Sequence, residues 1–224
     1  MSRAVRAGAV GAAIVGVYAA VIRRVQLVWG ATTEEAGSAL PGDDLVPGAD
    51  LIATRVIDVR ATPEQVWPWI AQLGQGRGGF YSYDALENLV GCDIHSADRI
   101  VPEWQHSQVG DEVKLHPEVA LAVALVQPGH ALVLRGAVPV GGTQGEAPYD
   151  FSWAFVVRDG AEGRTRLLVR ERYGYTRWWA PALVEPVAVV SFVMTQRMLR
   201  GIKDRAEREA MMAATGRTRV GPVE

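Results

Sequence analysis

The chain of 224 residues has one cysteine, Cys92, so it can close no intrachain disulfide and offers no second thiolate for a metal site. Its four histidines (His95, His106, His116 and His130) lie far from the close spacings that metal-binding helices use. No metal and no cofactor is expected. Charge of one sign is also lacking: 23 Lys and Arg face 25 Asp and Glu, a net of −2. A nucleic-acid partner, which would need a broad basic footprint, is therefore not expected. There is no internal repeat and no low-complexity tract.

What the sequence does have is apolar content, 49% of residues, enough for a sizeable core. Part of it is concentrated at the start. Ala7 to Ile22 (AGAVGAAIVGVYAAVI) carries no charge and is flanked by Arg3 and Arg6 before it and Arg23-Arg24 after it. A spanning helix needs about 20 apolar residues, with a lower limit near 17. Snorkelling arginines and the continuation through Val25, Leu27 and Val28 to an interfacial Trp29 would supply the difference. Residues 1–29 are thus expected to form an N-terminal hydrophobic helix, a single-pass membrane anchor. A cleaved signal peptide and a buried core helix are the alternatives; Arg23-Arg24, standing where a small-residue cleavage site belongs, disfavour the first. Positive charge at both ends leaves the orientation open.

Residues 30–50 (GATTEEAGSALPGDDLVPGAD) read as a linker or extended strap. A folded domain is expected over 51–213, with a flexible tail at 214–224. Leu51 to Arg60 has strand alternation. Thr62-Pro63-Glu64-Gln65 starts a helix, because Thr62 can cap, Pro63 suits the first position and Gln65 completes a capping box. Ser82 to Val90 reads as a second helix. Strands follow at Glu112–His116, Val119–Gln127, Ala131–Val138, Phe151–Arg158 and Thr165–Tyr173, separated by turn residues. In the fourth of these, Phe151, Trp153, Phe155 and Val157 share a face opposite Ser152 and Ala154, as in an antiparallel sheet with one face covered. From Glu185 to about Ala213 a stripe of Val187, Val190, Met194, Met198, Ile202 and Ala206 marks a long helix.

This order, and the wording of Ala61 to Gln105 (ATPEQVWPWIAQLGQGRGGFYSYDALENLVGCDIHSADRIVPEWQ), resemble the START-like superfamily, also called SRPBCC or birch-pollen-allergen-like, in a bacterial subgroup. The likeness runs over about Gly30 to Ala210 and is most specific from Gly76 to Gln105. It implies an α+β helix-grip fold, a curved antiparallel sheet wrapped around the C-terminal helix with a cavity between them. Members of the superfamily bind or transfer lipids, sterols and polyketides, and some cyclise or dehydrate polyketide chains. The resemblance brings no catalytic set that can be carried over residue by residue.

The expected partners are accordingly a hydrophobic small molecule and membrane lipid. For catalysis the best pair is His95 with Asp98, within the titratable cluster Asp93, His95, Asp98, Arg99, Glu103, Trp104 and His106; a His beside carboxylates can move protons near neutral pH. The same cluster can equally be a network of ion pairs fastening the loop. Trp67, Tyr81, Tyr83, Trp104 and Trp153 are candidate cavity walls, since aromatics supply area and a polar tip. Met194 and Met198 suit an adaptable wall. Core packing is the alternative for all seven. The Gln75–Gly79 glycine run reads as a flexible connector or gate, and lacks the residues of a phosphate loop. Arg166, Arg170 and Arg172 alternate along one strand with Glu171 between them, outward into solvent by default, with Arg170 meeting a carboxylate inside as the alternative; periodicity does not decide between them. Tyr175, Arg177, Trp178 and Trp179 form a candidate interfacial belt.

Overall fold

The computed structural model describes residue 16, residues 23–136 and residues 147–218. Apart from Gly16, the Ala7–Ile22 run expected to anchor the chain lies outside the described residues.

Six antiparallel strands make one sheet: β1 (Leu51–Val59), β2 (Glu112–His116), β3 (Val119–Gln127), β4 (Ala131–Gly136), β5 (Tyr149–Asp159) and β6 (Thr165–Tyr175), in the order β1-β6-β5-β4-β3-β2. Register shifts in β3, between Val123 and Leu125, and in β2, between Lys114 and His116, interrupt the ladders. Such irregularities bend a strand and raise its twist, which curls the β2 end of the sheet. The α-helices whose bounds fall among the described residues are α1 (Arg23–Leu27), α2 (Thr33–Gly37), α3 (Pro63–Ala71), α4 (Asp84–Leu89) and α5 (Ala180–Thr218). The capping box of Thr62 and Gln65 that starts α3 is formed as its residues predict. The final helix begins about one turn earlier than its apolar stripe predicts, and Pro186 falls within its opening turns.

The concave face carries the main core. Leu132 and Leu134 of β4, Phe155 and Val157 of β5 and Leu167 and Val169 of β6 meet Val66, Trp69 and Ile70 of α3 and Met198, Leu199, Ile202 and Ala206 of α5. Alternation along β4 and β5 should leave Ala131, Val133, Ala154 and Val156 facing water. They are buried instead, because residues 30–48 fold back across the outer face and cover them with Ala31, Leu40 and Leu45. At Gly42, with φ near +84°, a side chain would run into Val133, so glycine is what allows the strap to lie this close. The three arginines of β6 fasten the strap rather than facing solvent. Arg166 binds Glu35 at 2.6 Å, Arg170 binds Asp43 at 2.7 Å, and Arg172 donates to the Val46 carbonyl at 3.0 Å.

The start of the described chain is tied to the last helix. Arg23 of α1 pairs with Glu185 at 2.8 Å, and the Gln26 carbonyl accepts from Arg55 at 3.0 Å. Trp29, predicted to sit at a membrane interface, packs edge-on against Phe192 at 6.5 Å with Arg200 over its ring.

Candidate functional site

Between the concave face and α5 the two layers diverge, leaving a cavity of about 260 Å³. Its wall is mostly apolar and aromatic: Phe80 before α4, Phe151 and Trp153 of β5, Tyr173 of β6, and Met194 and Met198 of α5. Phe80 stacks on Trp153 with centroids 5.9 Å apart, and Phe151 meets Tyr173 at 4.7 Å, so the aromatic wall is braced by its own contacts. Val187 of α5, 40% exposed, is the most exposed residue of the wall.

Two carboxylates join this wall, and neither stood among the candidate site residues read from the sequence. Glu171 is 2% exposed and lies where β6 passes under α5. Its Oε1 takes Arg55 at 2.7 Å, Thr195 at 3.1 Å and the Ser191 hydroxyl, while Oε2 has the Tyr173 hydroxyl at 3.4 Å. Arg55 is fully buried and spends its remaining donors on the Gln26 and Ala188 carbonyls. The pair is thus internally neutral and hydrogen-bonded on both sides, the condition under which buried charge is tolerable. Burial, with Glu171 adjacent, pushes the Tyr173 phenol well above its ordinary value.

Glu87 is different. It projects from α4 into the wall, half-buried, and its Oε2 is sealed from water without a hydrogen-bond partner among the described residues. Burial, reinforced by Asp84, pushes its carboxyl up to about 7. The backbone around it is tightly held. Asn88 clasps both the N–H and the carbonyl of Ile94, at 2.6 and 2.8 Å, and Asp84 accepts from the Ser96 backbone and hydroxyl. Trp153 adds a buried indole N–H, also without a partner.

Of the residues predicted to line a cavity, Trp153, Met194 and Met198 do so. Tyr81 is buried beside it in the core, where its hydroxyl accepts from Gln72 at 2.9 Å and Arg205 lies over its ring. Tyr83 is 39% exposed at the start of α4. Trp67 borders a separate surface hollow with Gln105 and His106, and the Trp104 carbonyl accepts from Arg77. His95 and Asp98 are not on the cavity wall and do not meet each other. The His95 side chain is 82% exposed and 3.8 Å from Asp93, and Asp98 is 77% exposed and paired with Arg205 at 2.9 Å. The physical reason is that this loop is fastened to α5 from outside, by Arg205 bonding Asp98 and the Ala97 carbonyl. The glycine run before it is pinned too: Gly74 and Gly79 bridge each other, and Arg77 reaches the Ala71 carbonyl at 2.9 Å.

No family model and no curated protein matches the chain. Several solved structures align with part of the chain. A hypothetical protein from Helicobacter pylori is 16% identical with a TM-score of 0.47, over 79% of this chain and 99% of that one. A protein from Nitrosospira multiformis is 12% identical with a TM-score of 0.46, over 71% and 99%. Norcoclaurine synthase from Thalictrum flavum is 13% identical with a TM-score of 0.41, over 68% and 84%. The strand order, the curved sheet and the long terminal helix decide the architecture. The fold is a helix grip. At these identities and scores the neighbours carry nothing about ligand or reaction.

Proposed function

We propose that the protein binds a small, mainly apolar molecule in the cavity between sheet and terminal helix, and does so at a membrane surface. The observation that carries the reading is the cavity itself: apolar, aromatic-walled, open on one side, with a few polar groups set into it. Its volume narrows the ligand. At about 260 Å³ it exceeds the 150 Å³ void that accepts benzene, and falls just below the 300–1,000 Å³ typical of drug-sized sites. A one- or two-ring compound or a short acyl chain would be enclosed; a sterol would not. The driving force is burial of ligand surface, roughly 25 cal/mol per Å² before the costs of association.

Placement at a membrane is supported by what surrounds the opening. The charge-free run ends at Ile22, and Arg23 is held by Glu185 on α5. On the same end of that helix Trp178 is 92% exposed, and Val190 and Val193 are exposed as well. Within Ala180–Thr215 an 18-residue window has a mean hydropathy of 1.3 and is 28% buried. An N-terminal anchor would therefore deliver the domain with an apolar rim and the cavity mouth near the bilayer.

Native mass spectrometry of the full chain released from nanodiscs, after exposure to a size series of apolar probes, tests this. Naphthalene-sized probes should be retained one per chain and cholesterol should not. Retention of none of the small probes would overturn the reading.

One observation favours a second reading, a cyclase- or dehydratase-like enzyme. Glu87, with its carboxyl near neutrality in the cavity wall, can give or take a proton there. Such an activity would depend on Glu87 rather than on His95 and Asp98. Loss of turnover in Glu87→Gln with substrate still bound would support it.

A further inference from the structure

The charge inventory of the cavity is one-sided. Among the 17 described residues that line it are two carboxylates, Glu87 and Glu171, and no Lys, Arg or His. Glu171 is already neutralised by Arg55, 2.7 Å away and itself sealed from water. Glu87 has no such partner among the described residues. The groups that interact with it are Asp84 on its own helix and Cys92 on the following loop; Glu171, Tyr149 and Tyr173 stand elsewhere on the same wall, and α5 contributes Ser191, Met194, Thr195 and other uncharged side chains. His116 lies beyond Gly91, outside the lining. A half-buried carboxylate with a neighbouring acid, in an apolar and aromatic wall, is unfavourable when empty. It is well matched to a cation, which would pair with the carboxylate and be attracted by the ring faces.

We propose that the cavity's ligand is a protonated amine, a small aromatic or alicyclic molecule whose ammonium is held by Glu87 while its ring lies among Phe151, Trp153 and Tyr173. This rests on the cavity-binding reading above and adds the charge of the ligand to it. An anionic ligand such as a fatty acid is selected against, because its carboxylate would meet Glu87 with no cation to receive it. Binding is linked to protons. Between pH 5.5 and 7 part of the Glu87 population is protonated, and taking up an ammonium expels that proton.

The test uses the full chain in phosphatidylcholine nanodiscs and three probes of one shape: 2-phenylethylamine, 2-phenylethanol and phenylacetate, titrated calorimetrically at pH 8 and pH 5.5. The expected order at pH 8 is amine, alcohol, carboxylate, with the amine about tenfold tighter than the alcohol, or ~1.4 kcal/mol. At pH 5.5 the amine's advantage shrinks to about twofold and the alcohol is unchanged. In Glu87→Gln the amine and alcohol bind alike at both pH values, with alcohol binding retained as evidence that the cavity is intact. Alcohol or carboxylate binding as tightly as the amine in the native chain would overturn the amine proposal and leave the cavity reading standing. Binding of none of the three would remove both.

Discussion

Arg55 and Glu171 meet at 2.7 Å beneath the cavity, and neither exposes more than 2% of its side chain to water. This pair joins β1 to β6 across their shared edge and draws in Ser191 and Thr195 from α5, so one carboxylate oxygen sets the distance between sheet and helix. The cavity exists where that spacing is kept open by a polar group instead of being closed by apolar packing.

Removing one partner strands the other. Arg55→Met or Glu171→Leu alone should cost about 3–5 kcal/mol, because an unpaired charge is left in the interior. The double variant should lose clearly less than the sum of the two. Urea unfolding of the two single variants and the double variant measures this, and strict additivity would show that the pair is not coupled as described.

Glu87 makes stability depend on pH in a defined sense. Its carboxyl is raised from 4.5 to about 7 in the folded chain, so the fold binds a proton that the unfolded chain has released. Its contribution is present below about pH 4.5 and is lost as pH rises through about 7. Glu87→Gln should therefore raise the melting temperature relative to the native chain at pH 8 and leave it nearly unchanged at pH 4. Equal shifts at both pH values would contradict the assignment.

The loop carrying Tyr81 and the middle of α5 touch at a glycine. A Cβ on Gly201 would collide with the Tyr81 carbonyl oxygen, so one backbone segment would have to shift. Gly201→Ala, favourable by helix propensity alone, should instead destabilise by about 1–3 kcal/mol. A gain in melting temperature would mean the loop moves aside.

Trp178 offers a direct probe of membrane contact, being 92% exposed at the approach to α5. In nanodiscs containing brominated lipid, the native chain should show tryptophan quenching that falls markedly in Trp178→Phe. Equal quenching in both proteins would place this surface in water.

The architecture was legible because its signals are local and periodic. The Thr62 capping box, the five later strands and the long final stripe each follow from short-range rules. The strap at residues 30–48 was harder to read, since its segment lacks periodicity and its partners are three arginines more than a hundred residues away. Alternation on β6 put those arginines on one face without deciding what they meet, and could not show that chain already lay over that face. The candidate site was half legible. Trp153, Met194 and Met198 follow from strand and helix faces. His95 and Asp98 drew attention by density of titratable groups, and density says nothing about which way a loop faces. Glu171 sat among arginines and looked like a solvated charge; the counter-signal was that it shares a face with Leu167 and Val169, as Arg55 does with Ala53. Glu87, on a six-residue helix, had no periodicity strong enough to assign its face.

The central claim is that a small apolar molecule enters between the sheet and the terminal helix. Methyl NMR of the chain with 13C-labelled methionine reads this directly, since Met194 and Met198 line the cavity while Met211 and Met212 are exposed further along the same helix. Titration with 2-phenylethylamine or 2-phenylethanol should shift the Met194 and Met198 methyls saturably and leave Met211 and Met212 in place. Unmoved Met194 and Met198 signals at saturating probe, or shifts confined to Met211 and Met212, would contradict it.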